Sequence, residues 1–213
     1  MATYKKSLEM RKSIIEATEH IVLEKGYHQT SIKEIADYLG IPRSLIYYYF
    51  KSQKDLMNNI LETHYAAMET TVEELLPQGE DPLVRQILKN ILFFRRIAFN
   101  PLFTDYIISS TDYPSRGSIY AAEHIAKYFS ESESFFLDCG MSVDSNRFRV
   151  HVLITEVVWK SLVTGVHYKT VDLTERELME YYLERTIMVT FGLGWETLSP
   201  MLDKAFLLAD QAQ

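Results

Sequence analysis

Residues Ser31 to Phe50 read SIKEIADYLGIPRSLIYYYF, and this stretch decides the fold. Ser31 and Glu34 have the spacing of a capping box, in which each side chain satisfies a backbone N–H left orphaned at a helix start. Gly40 supplies the left-handed conformation that a tight turn between two short helices demands. Pro42 then suits the first turn of the next helix, where its missing N–H costs nothing. Ile32, Ile35, Ala36, Leu39, Ile41, Ile46 and Phe50 recur at the spacing that lets both helices share one core. Outside the core, the second helix carries Arg43, Ser44, Tyr47, Tyr48 and Lys51, all hydrogen-bond donors with no acid among them. A helix entering a DNA major groove needs such a face. Three adjacent tyrosines fan over roughly 200° of helix, so at least one packs inward while another stays exposed. The competing reading is a corner between two helices of some other helical protein, with the tyrosines as core.

Helical period continues on both sides. Upstream, a helix is expected over Ser7–Lys25, with Ile14, Ala17, Thr18, Ile21 and Val22 on one face and Gly26 as its stop. Downstream, Ser52 and Asp55 cap a long helix reaching Leu76. Further helices are expected over Pro82–Phe99, Pro101–Ser110, Ser115–Cys139, Ser145–His167, Glu175–Trp195 and Pro200–Ala212, the prolines marking starts. Thr174 and Glu177 form a second capping box, with Leu173 placed to pack on Leu178 as its hydrophobic staple. No run alternates long enough for a strand, so the chain is all-α.

Charge divides along the chain. Its 213 residues total −7, yet residues 1–60 hold nine Lys and Arg against seven Asp and Glu, and the remainder thirteen against twenty-two. Fields are screened within about 8–10 Å at working salt, so the basic amino-terminal segment is judged by itself. A single cysteine, Cys139, excludes an intrachain disulfide and favours a reducing compartment. No export signal is visible, and His151, Glu156 and Lys160 interrupt the most apolar stretch. These features point to a cytoplasmic protein without a membrane span.

The run Thr30-Ser31-Ile32-Lys33-Glu34-Ile35-Ala36, then Leu39-Gly40-Ile41, then Ile46-Tyr47-Tyr48-Tyr49-Phe50-Lys51-Ser52 and Lys54-Asp55-Leu56, resembles the TetR family of bacterial transcriptional regulators. The resemblance covers residues 8–60 by motif. It implies an Ω-shaped homodimer: a three-helix, helix-turn-helix DNA-binding head over residues 1–52 and a larger body over 53–213 that binds an effector and dimerises. It further implies phosphate contacts from Thr30, Ser31 and Lys33, base reading by Arg43 and Ser44, and backbone contacts by Tyr47 and Tyr49. Helix geometry adds Tyr48. Leu45 stands where many relatives carry Thr or Asn and offers an apolar contact to a thymine methyl. Gln53 replaces a frequent phosphate-binding lysine and can still donate, with Lys51 and Lys54 nearby to compensate.

Between Phe93 and Phe136, eleven of forty-four residues are aromatic. By resemblance this region walls an effector cavity, with Tyr65, Met68, Phe94, Tyr106, Tyr128, Phe129 and Trp159 as lining candidates and Arg95, Arg96, His124 or Glu156 to orient a polar group. Simple core packing competes at each position. Residues 145–167 and 175–195 are apolar over more than one stripe, which fits half of an interface or a buried core helix. The first presents Val150, Leu153, Ile154, Val157, Val158 and Leu162, the second Leu178, Tyr182, Leu183, Ile187, Val189 and Phe191; the resemblance makes them a four-helix dimer interface. No phosphate-cradling loop, HExxH, paired CxxC or Gly-x-Ser-x-Gly elbow occurs, and the six histidines form no i, i+4 pair. Neither catalysis, metal nor cofactor is expected. The reading is a dimeric regulator, most simply a repressor, released from a double-stranded, pseudo-palindromic operator by a small apolar or aromatic effector. The alternative is a helical carrier or enzyme with a vestigial head.

Overall fold

The computed structural model describes residues 2–109, 132–141 and 146–212, and every element among them is helical. Helix α1 (Ala2–Lys25) starts five residues before Ser7, because nothing in Ala2–Lys6 breaks a helix and lysine and alanine favour one. A single 3-10 turn (Tyr27–Gln29) leads to α2 (Ile32–Leu39) and α3 (Arg43–Tyr49). The apolar positions of α1 and the helix pair close on one another: Ile14, Ala17, Ile21, Val22, Ile32, Ile35, Ala36, Ile46 and Phe50 are buried, and Leu39 and Ile41 pack against them.

The body begins with α4 (Gln53–Leu75), whose first turn is capped by the Ser52 hydroxyl accepting from the Asp55 N–H at 3.0 Å. Helix α5 (Pro82–Phe93) carries Asp81 as cap and Pro82 in its first turn, then widens into a π turn over Phe94–Ala98. Helix α6 (Thr104–Ser109) follows, then α7 (132–138) and α8 (Asn146–His167). Thr174 and Glu177 form the expected capping box at the start of α9 (Glu175–Leu183), which passes through a second π turn (Glu184–Met188) and ends at Phe191. Helix α10 (Trp195–Ala209) closes the chain with a short 3-10 turn (Asp210–Ala212).

Three further starts or stops differ from expectation. Proline is favoured at the first helical position, directly after the capping residue, as at Asp81-Pro82, but its presence does not by itself fix a start. Pro101 lies in a turn built by Asn100, whose side chain accepts from the Leu102 N–H at 3.0 Å, and α6 begins at Thr104. Pro200 sits inside α10, five residues beyond its start. The missing hydrogen bond is offset by Leu198, Leu202, Ala205 and Ala209, all buried in the core where α10 packs on α5. Burying each large aliphatic side chain contributes about 1.5–3 kcal/mol. The helix expected to reach Trp195 stops at Phe191 because Gly192 turns left-handed (φ 67°). Most of the expected 115–139 helix lies outside the described residues.

Candidate nucleic-acid interface

The turn between α2 and α3 follows from its residues. Gly40 adopts φ 64°, and the Ile41 N–H returns to the Ala36 carbonyl at 3.0 Å, which closes α2. At the other end, Ser31 and Glu34 complete their capping box. The Lys25 ammonium hydrogen-bonds Glu34, and with the Ser31 hydroxyl it holds that carboxyl below the ordinary carboxylate range. The start of α2 is thereby locked to the end of α1. Ile46 and Phe50 then point α3 into the core, and the Arg11 guanidinium lies 5.2 Å from the Phe50 ring centre.

The opposite side of α3 is open. Arg43, Ser44, Tyr47 and Tyr48 are exposed, the two tyrosines by 53% and 77%, while Tyr49 and Leu45 are half-buried. Tyr49 packs on the core and meets the Tyr48 ring edge-on at 5.0 Å. Lys33 and Lys51 are exposed beside this face, Lys54 is half-buried, and no acid lies within α3. Arg43, Lys33 and Lys51 form no ion pair among the described residues.

Two candidates turn inward. The Thr30 side chain is buried and donates to the Gly26 carbonyl at 2.9 Å, so its hydroxyl faces the protein interior and not a phosphate. The Gln53 amide donates to the Thr30 and Tyr27 carbonyls at 2.8 and 3.3 Å, tying the 3-10 turn to the start of α4. Both polar groups complete backbone accounts that the turn itself leaves open. Ser31 commits its hydroxyl and its N–H to Glu34, which leaves Lys33 as the outward group at that corner.

Head and body meet at a contact the sequence reading missed. The Tyr27 ring packs edge-on against Tyr106 of α6 at 4.9 Å, and the Tyr106 hydroxyl donates to Asn58 Oδ1 on α4. Burial raises the Tyr27 phenol above its ordinary value. A Cβ on Gly26 would stand 3.3 Å from the Asp105 carboxylate, and Asp105 also pairs with His167 at the end of α8 at 3.5 Å. His64 of α4 joins Glu19 of α1 at 2.9 Å and packs on Phe103.

In the body, Met68, Phe94 and Tyr106 are buried, and Tyr65 and Trp159 are packed partly buried against the same core. The Trp159 ring meets Phe93 at 5.2 Å, and Lys89 lies over Tyr65 while pairing with Glu69 at 2.6 Å. Tyr128, Phe129 and His124 lie outside the described residues, as does the Glu156 side chain. Arg95 and Arg96 are committed elsewhere: Arg95 pairs with Glu175 and Asp210, and Arg96 donates to Thr71 and the Ala212 carbonyl. These ties fasten α5 to α4, α9 and the chain's end.

The expected interface helices divide into two sets. Val150, Leu153, Ile154 and Val157 on α8 and Val189 beyond the second π turn are exposed, whereas Val158 and Leu162 are half-buried. Leu178, Tyr182, Leu183 and Ile187 belong instead to the core of the single chain, which removes them from an interface. Buried His151 ties the two elements together, with Nδ1 at 2.6 Å from the Thr190 hydroxyl and Nε2 at 3.3 Å from Thr155. Val150 and Val189 are the chain neighbours of that bonded pair.

Among the described residues no three His, Cys, Asp or Glu side chains gather to hold a metal, and no helix is long and apolar enough to cross a membrane. Residues 14–60 match the family model for bacterial regulatory proteins of the tetR family. Over 59 residues the chain is 36% identical to the HTH-type transcriptional repressor BepR of Brucella suis, a match covering 28% of each chain. Over 72 residues it is 29% identical to the HTH-type transcriptional repressor NemR of Escherichia coli, covering 34% of this chain and 36% of that one. The matches thus span about a third of these relatives' length. The fold is similar to that of the fatty acid degradation regulator FadR from Bacillus halodurans, with TM-score 0.58, 16% identity and coverage of 86% of this chain and 99% of that one.

Proposed function

We propose that this chain, whose residues 14–60 match the family model for bacterial regulatory proteins of the tetR family, is a ligand-responsive, dimeric, DNA-binding repressor of that family acting in the cytoplasm. The observation that carries this reading is the exposed face of α3, where Arg43, Ser44, Tyr47 and Tyr48 stand together without an acid. Arg43 and Ser44 read base edges, with Leu45 against a thymine methyl; Tyr47, Tyr48, Lys33, Lys51 and Lys54 hold phosphates, and Tyr49, packed on the core, backs the Tyr48 ring. Residues 1–52 act as the DNA-binding unit and 53–213 as the effector and dimer unit. Two copies joined through Val150, Ile154, Val157 and Val189 present two recognition helices to major grooves about 34–36 Å apart on a pseudo-palindromic duplex.

The effector is small and apolar or aromatic, held in the body near Tyr65, Met68, Phe94, Tyr106 and Trp159, where the ring-rich core supports such a ligand. It acts by favouring a body conformation in which α6 and α4 reset the heads. A coupling of about 1–3 kcal/mol weakens DNA binding about 5–150-fold. The test is enrichment of duplexes from random-sequence DNA by the purified chain, followed by mobility shift. A shared palindromic motif supports the reading; retention of no duplex even at low salt sinks it.

A further inference from the structure

Helices α1 and α4 run in the same sense. Arg11 donates to Asn59 Oδ1 at 2.6 Å, and eight residues further along α1 Glu19 meets His64, which lies five residues further along α4. Followed backwards, both helices therefore head toward one end of the molecule. On α4 that end is its start, beside Lys51 and Ser52. On α1 it is the segment before Arg11, and the Arg11 contact with Phe50 fixes this level at the end of the recognition helix. Lys5 and Lys6 lie six and five residues earlier, about 7.5–9 Å beyond Arg11 along the axis.

Between Lys5 and Ser13 no residue is fully buried, and Lys5, Lys6, Leu8 and Glu9 are exposed. Lys12 has a solvent-exposed partner in Glu16, but Lys5 and Lys6 have no acidic partner among the described residues. The first twelve residues hold four cations, Lys5, Lys6, Arg11 and Lys12, against the single acid Glu9. These two ammonium groups, without an acidic partner among the described residues, thus extend the basic surface begun by Lys51, on the end of the head where α3 terminates.

We infer that Lys5 and Lys6 bind the phosphate backbone of the same duplex that α3 enters, outside the recognition helix, and enlarge the footprint of the head. The inference rests on the DNA-binding reading above. Ammonium groups on flexible stems hold phosphate as point charges without reading sequence. Their contribution is therefore uniform across sequences and sensitive to salt.

The test compares wild type with K5Q/K6Q on the duplex that the wild type enriches and on an unrelated duplex of equal length, by titration between 50 and 200 mM salt. Each phosphate contact contributes about 0.9 to the logarithmic salt slope, so two lost contacts make the wild type's affinity fall about twelvefold further than the variant's across that range. The variant weakens binding to both duplexes alike, enriches the same motif, and keeps the wild-type melting temperature; K5R/K6R restores the slope. An unchanged slope, or a changed motif at unchanged slope, overturns the inference while leaving the DNA-binding reading intact. A wild-type chain that enriches no duplex overturns both.

Discussion

The Tyr106 ring of α6 lies edge-on to the Tyr27 ring at 4.9 Å, so a body helix touches the turn that leads into the α2–α3 pair. Its hydroxyl also donates to Asn58, which joins α6 to α4 through the same side chain. Tyr106→Phe keeps the ring contact and removes the hydrogen bond. The expected cost is about 0.5–1.5 kcal/mol of stability, with the enriched duplex motif unchanged. Tyr106→Ala removes the ring as well and costs about 3–5 kcal/mol. Calorimetry of both variants separates the two contributions; equal losses would show that the ring contact carries nothing.

On the recognition helix, Arg43→Ala is expected to lower affinity by about 1–3 kcal/mol and relax preference at one base position. Thr30→Val provides the contrast, because the Thr30 hydroxyl is inside and bonded to Gly26. That variant loses melting temperature and keeps the wild-type motif and salt slope. Selection from random duplex with each variant reads both outcomes at once.

What was legible in the sequence follows the range of the forces involved. The helix-turn-helix is written in local chemistry: Ser31 and Glu34 cap, Gly40 turns, and Ile32, Ile35 and Ile46 repeat at helical spacing. The outward set on α3 follows from the same period, with Tyr49 as the tyrosine that packs inward. The π turns at Phe94–Ala98 and Glu184–Met188 left no such mark. A wider turn changes which face each following residue presents, yet it demands no particular residue type. Ile187, inside the second of these turns, was read as interface while it packs in the core; Tyr182 precedes the turn, and its apolar spacing fits a core helix as well as an interface. Thr30 and Gln53 were misplaced for another reason: a hydroxyl or amide satisfies a distant carbonyl as readily as a phosphate, and only the tertiary fold chooses.

Acid should destabilise the chain in two separate windows. Burial lowers the His151 pKa from its ordinary 6.5 to about 4, so the unfolded chain takes up this proton first. Stability attached to the neutral imidazole is fully present above pH 6.5 and is lost as pH falls toward about 4, with a slope approaching about 1.4 kcal/mol per pH unit. Glu34, whose carboxyl is depressed by Lys25 and Ser31, acts lower, its contribution disappearing as pH drops below the ordinary value of 4.5. His151→Gln flattens the upper window of a melting-temperature profile and Glu34→Gln the lower. Unchanged profiles would refute these assignments.

The apolar stripe of α8 decides whether the heads act as a pair. Val150, Ile154 and Val157 follow one another at helical spacing on the exposed side, and the His151–Thr190 bond sets Val189 beside them. Apolar groups in that arrangement gain by leaving water only if a second surface covers them. On the proposed reading a copy of the same stripe does so through two-fold symmetry, and the expected species has about twice the 24.8 kDa chain mass. A carboxylate at the centre of that contact would be buried without a partner, so Val157→Asp is expected to yield the single-chain mass in light scattering at micromolar concentration. Position 157 is exposed in one chain, so melting of the isolated chain should change little. Affinity for a palindromic duplex should fall to that for one half-site. A Val157→Asp variant that keeps the doubled mass would place the interface elsewhere on the body.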